Sequence, residues 1–183
     1  MKALPIIWRW PEEFARHIVT IRPFHTSINY MGILTGHKMC GSGYTEIVLE
    51  AQLVTSGSLK GVLSGKAYNK SLFCLKTVCE VIENLLLERF TEEENVTVSD
   101  PATLLNMTES CSRQHLNETL SDPSTVTLLE KYHAYEEKVL NGQPGQTAAF
   151  WMSFITHCHL IFILLHSVET NNIQLFHKSA MEI

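Results

Sequence analysis

Aspartate is almost missing from this sequence: Asp100 and Asp122 are its two examples in 183 residues. Nucleases and transposases of the two-metal type gather carboxylates around their ions. Here both aspartates flank a Ser/Thr/Asn-rich stretch, where N-capping or a turn accounts for them, so such a centre is not expected. A cationic excess is missing as well. With 14 basic against 19 acidic side chains and a formal net charge of −5, the chain as a whole lacks the charge of a free-standing nucleic-acid binder, which leaves only a local basic patch open. The five cysteines, Cys40, Cys74, Cys79, Cys111 and Cys158, are odd in number and irregularly spaced, with no CxxC pair. Neither a disulfide framework nor a zinc ribbon fits them, and reduced thiols in an intracellular chain, cytoplasmic or nuclear, are expected. The first residues, MKALPIIWRWPEE, hold an apolar run broken by Pro5, Arg9 and Pro11, too short for a secretory signal. The glycosylation-type triplets at Asn69, Asn95, Asn106 and Asn117 are accordingly read as chance. No alternating strand pattern and no internal repeat is found.

What is present is helical periodicity. Pro11, Glu12 and Glu13 ahead of Phe14, His17, Ile18 and Val19 predict a short helix with proline in its first turn. Ile28, Met31, Ile33 and Leu34 predict a second, over 26–39, stopped by Gly41-Ser42-Gly43. A third starts near Tyr44 and carries Ile47, Val48, Ala51 and Leu53; Ser56-Gly57-Ser58 reads as a break, and 59–63 as at most a helical turn ending at Gly65. From Lys66 to Phe90, Leu72, Leu75, Cys79, Ile82 and Leu86 step by three and four to make one apolar stripe. Residues 91–122 are polar and read as a linker or mobile insertion, with one helical turn near 102–107. Asp122-Pro123 then looks like an N-cap and first helical residue, with Asn141-Gly142 as the stop. A long helix over 146–169 and a short one over 172–181 complete the chain. The organisation expected is an N-terminal helical part (1–90), the linker (91–122) and C-terminal helices (123–183) packing on the same core.

The run from Val139 to Val168 contains no Asp, Glu, Lys or Arg and includes THCHLIFILLH at 156–166. It is long enough to cross a bilayer. Two histidines near its middle and no basic flank argue against a span, and no membrane is expected. His157, Cys158 and His159 are consecutive, so on a helix they splay by about 100° each and cannot converge on one ion. His159 and His166 share a face but lie two turns apart, so joint ligation needs a third element. No metal site is expected from this segment alone, and no cofactor. Phe150, Phe154, Cys158, Ile161 and Leu165 form a stripe that Trp151, Ile155 and Phe162 widen. The fold class expected is all-α, an irregular helical bundle around this central apolar helix.

Other candidate chemistry is thin. Glu46 and Glu50 lie one helical turn apart and His25 sits in PFHTS, so a metal-dependent nuclease or transposase-type domain built on these three is the alternative reading. An exposed glutamate pair and a structural histidine are the simpler one. Gly41-Ser42-Gly43 lacks the lysine and spacing of a phosphate loop and reads as a turn. Lys66 and Lys70, four apart on one helix face with Lys60 and Lys76 nearby, are the basic concentration of the chain. They are the nucleic-acid-binding candidates, with a solvated face as the plain alternative.

The FHT triplet, GSG-x-x-E, a Gly/Ser turn before a short Val-Leu segment, the GKAYNK stretch and the aromatic-rich helix AAFWMSFITHCHLIFILLH are features that together span most of the chain. In them the sequence resembles a segment of large, poorly characterised, transposon-associated proteins of animal genomes. It departs from that pattern at Arg22-Pro23, where glycine precedes the Phe-His pair, and at Leu72-Phe73, where basic residues follow GKAY. The resemblance implies a fragment or shortened copy of a longer parent. The function expected is a noncatalytic helical remnant that acts, if at all, through protein or nucleic acid at the Lys66 face. A small membrane-associated protein is the remaining alternative.

Overall fold

The computed structural model describes residues 9–13, 23–94 and 123–181. Among them are seven α-helices and no strand: α1 (Pro23–Ile33), α2 (Tyr44–Glu50), α3 (Ser56–Leu63), α4 (Tyr68–Glu93), α5 (Pro123–Leu140), α6 (Gln146–Glu169) and α7 (Ile173–Met181). The fold is all-α. A π-helical turn, Leu34–Lys38, continues α1. The helix expected over 11–19, the turn near 102–107 and the Asp122 cap fall outside the described residues. The chain divides into two compact units, residues 1–71 with 160–183 and residues 72–159. Helices α4 and α6 carry residues of both.

In the first unit α1 and the π turn that continues it bury Ser27, Tyr30, Met31 and Leu34, the i, i+3, i+4, i+7 face of a helix packed on one side. Gly32 lets the backbone of the next segment come close: a Cβ there would sit 2.7 Å from the carbonyl oxygen of Ser64. The hydroxyl of Thr35 lies 2.9 Å from Met31 O and 3.1 Å from Leu63 O. A threonine that bonds back to its own helix disturbs the regular ladder, and here the helix widens into the π turn. Ser56-Gly57-Ser58 is the first turn of α3 rather than a break, because small polar residues that interrupt a helix interior also begin one well. Gly65, at φ +70°, makes the turn between α3 and α4. Ser71 Oγ closes it by donating to Val62 O at 2.9 Å. Near the C-terminus Asn172 caps α7, its Oδ1 accepting from Leu175 N at 3.0 Å.

The second unit packs α4, α5 and α6. Phe90 is its aromatic centre, edge-on to Tyr132 at 5.1 Å and 5.5 Å from Tyr135 between ring centroids. Leu75, Val78 and Cys79 of α4, Val139 of α5, and Met152, Ile155 and Cys158 of α6 are also buried. The helix α4 continues to Glu93, three residues into the stretch expected as linker; 95–122 lie outside the described residues. The bounds of α6 agree with those expected, but its enclosure is one-sided. Phe154, Cys158, Ile161 and Leu165 are buried, while Phe150 and Ile163 are exposed. It is also long and apolar enough to cross a membrane by length and composition.

Candidate functional site

Cys79 and Glu83 stand one turn apart on α4, so their side chains project from the same face. Cys79 belongs to the apolar stripe and is 1% exposed, whereas the Glu83 side chain, nearer the edge of that stripe, is 37% exposed. From α6, Cys158 points into the core. His159, the next residue and about 100° further round, reaches Glu83 at the margin: His159 Nε2 and Glu83 Oε1 are 2.5 Å apart. One donor atom each from Cys79, Glu83 and His159 lies within 4.8 Å of the other two. All three residues, and Cys158, belong to the second unit.

The electrostatics follow from this grouping. The Cys158 thiol donates to the sulfur of Cys79, and this bond holds the Cys79 thiol down to about 6, with His159 helping and burial and Glu83 opposing. These contacts favour the thiolate form of Cys79. His159 is raised to about 9, first by its bond to Cys79 and then by Glu83, against the cost of burial. Burial drives Cys158 strongly upward, and donation to Cys79 adds to it, so it remains a thiol. The result is an imidazole, favoured in its protonated form, beside a thiol, favoured in its thiolate form, and a carboxylate. Such a set can hold a metal ion of borderline softness or supply a nucleophile; the burial of Cys79 closes it to bulky substrates.

The residues singled out from sequence lie elsewhere. His25 is exposed at the start of α1, and Glu46 and Glu50 are exposed on α2. Among the described residues the three are not brought within coordinating reach of one another, which removes the geometric basis of the nuclease-type alternative built on them. Gly41-Ser42-Gly43 is a turn, with Ser42 Oγ accepting from Tyr44 N at 3.3 Å. Lys66 precedes the first residue of α4 and Lys70 lies in its first turn, so the two do not share a helix face as expected. The cause is the Ser64–Ala67 turn, held by Ala67 N donating to Gly61 O at 3.0 Å. Both lysines are exposed, as is Lys60 in the last turn of α3.

The Cys79–Glu83–His159 group is not apparent from the sequence, in which Cys79 reads as part of the apolar stripe of α4. The available signal was Cys-x-x-x-Glu on a helix, the spacing that puts two donors on one face. Its pairing with His159, 76 residues away, depends on how α4 and α6 pack.

The chain belongs to the family described as a domain of unknown function (DUF8702), whose sequence profile matches residues 1–182. No curated protein and no solved structure matches it.

Proposed function

We propose that this chain is a noncatalytic helical module of a transposon-related protein, intracellular, that contacts the phosphate backbone of a nucleic acid through the segment carrying Lys60, Lys66 and Lys70. The observation that carries the reading is the placement of these lysines on one helix–turn–helix segment. All three are exposed, and none forms an ion pair among the described residues. The first turn of α4 contains Lys70 and no acidic residue. Its free amides and positive dipole end therefore add to the lysine charge rather than being neutralised locally. Support for the transposon link is the motif resemblance, above all GKAYNK, which contains both Lys66 and Lys70.

Phosphate contacts of this kind position a protein without reading sequence. Binding of the full chain to a fluorescently labelled DNA duplex, followed by anisotropy at low salt, is the test. Charge reversal of Lys66 and Lys70 to Glu is expected to weaken binding by about tenfold or more. Equal affinity of the reversed protein, or no binding by the unaltered chain at low salt, would overturn the reading.

A further inference from the structure

We propose that Cys79, Glu83 and His159 bind a single divalent transition-metal ion of the zinc class, with a fourth position open to solvent. The site is distinct from the lysine segment and does not rest on the nucleic-acid reading. Three kinds of observation carry it.

The first is geometry. Bonds of about 2.0–2.3 Å to sulfur, nitrogen and oxygen in a tetrahedron place the donors about 3.3–3.8 Å apart. The present donors lie within 4.8 Å of one another; the widest pair closes by up to about an ångström and the hydrogen-bonded His159–Glu83 pair, at 2.5 Å, opens by about as much to complete the set. Glu83 and His159 are only partly buried and sit on the solvent margin of the helix pair, where such rotamer changes are available.

The second is donor chemistry. A thiolate, an imidazole and a carboxylate form a borderline set; magnesium and calcium prefer oxygen alone, and copper(I) prefers sulfur. Two anionic donors cancel the charge of a divalent ion, so binding beside the core leaves no net charge buried. On binding, the His159–Glu83 hydrogen bond is exchanged for one bond from each residue to the ion, and its proton leaves to solvent.

The third is the surroundings. Cys158, the residue before His159 on α6, is fully buried beside this group, and its influence on the Cys79 thiol is the largest of those that favour the thiolate, the kind of outer contact that tunes a ligand's basicity. The exposed edges of His159 and Glu83 leave one side of the ion to water. Three protein ligands and an open position describe an exchangeable centre rather than a closed structural one.

Cobalt(II) is the probe, because a thiolate ligand in a tetrahedral site gives sulfur-to-metal charge-transfer absorption and intense visible bands. The metal-stripped full chain, kept reduced, is titrated with cobalt(II) and then challenged with zinc(II). Expected are one equivalent bound, a charge-transfer band of single-thiolate intensity, displacement by zinc and a raised melting temperature with either ion. Cys79→Ser should abolish the charge-transfer band. Glu83→Gln, nearly isosteric and partly exposed, should weaken affinity by at least about tenfold while keeping the helical circular dichroism. Cys40→Ser, far from the site in sequence and exposed, should retain one equivalent and the band. The proposal is overturned if the unaltered chain takes up neither ion at micromolar concentration. It is equally overturned if Cys79→Ser keeps the band, if Cys40→Ser loses it, or if a folded Glu83→Gln binds as tightly as the unaltered chain.

Discussion

Phe90 shows what one side chain contributes to the second unit. It is 2% exposed and meets the rings of Tyr132 and Tyr135, so truncation removes the burial of a large ring and two aromatic contacts and leaves a cavity. Phe90→Ala should cost about 3–5 kcal/mol in urea unfolding; a loss below about 1 kcal/mol would mean that the aromatic cluster does not hold α4 and α5 together. Cys79 illustrates the limit of reading single residues. Cysteine is small and apolar enough to continue a hydrophobic stripe and also ligates metal. Only Glu83, one turn later, distinguishes the two roles, and then only once His159 is seen beside it. The neighbouring Cys74 is equally buried, and burial raises its thiol instead. Where burial outweighs a backbone hydrogen bond and no charged side chain is at hand, as at Cys74, a buried cysteine is a core residue.

Helix α7 shows how much local capping contributes to an element. It is nine residues long, too short to stand alone in water, and its start is fixed by the Asn172 side chain accepting from Leu175 N. Asn172→Ala should destabilise the protein by about 1 kcal/mol, read as a lower melting temperature; an unchanged melt would show that packing of Phe176 alone sets the helix. Elements with strong periodicity were the most legible. The bounds of α6 are those expected from its apolar run between Gly145 and Thr170, and α7 begins one residue later than expected because Asn172 serves as its cap. The elements misread were those where one composition has two meanings. Ser56-Gly57-Ser58 interrupts an apolar pattern and also opens α3, and at the π turn after α1 the Thr35 hydroxyl meets both its own helix and Leu63, 28 residues away. Neither choice is encoded within a local window. The one-sided burial of α6 has the same origin, since an all-round apolar composition does not say how many neighbours cover it.

At the scale of the whole molecule, composition gave the fold class directly: an amphipathic helix periodicity with no strand pattern leaves an all-α domain. The division into residues 1–71 with 160–183 and residues 72–159 was not legible, because its boundaries fall inside the continuous helices α4 and α6 rather than at the polar stretch that follows α4. Net charge also acts at this scale. At −5 the chain repels a polyanion overall, so binding through Lys60, Lys66 and Lys70 must depend on local counterion release and weaken steeply with salt. The most direct measurement is the slope of log affinity against log salt for the full chain on duplex DNA. Three phosphate contacts predict a slope near −2.7, with Lys66→Glu/Lys70→Glu shallower by about 1.8. An identical slope in the charge-reversed protein, or binding that does not respond to salt, would contradict the account.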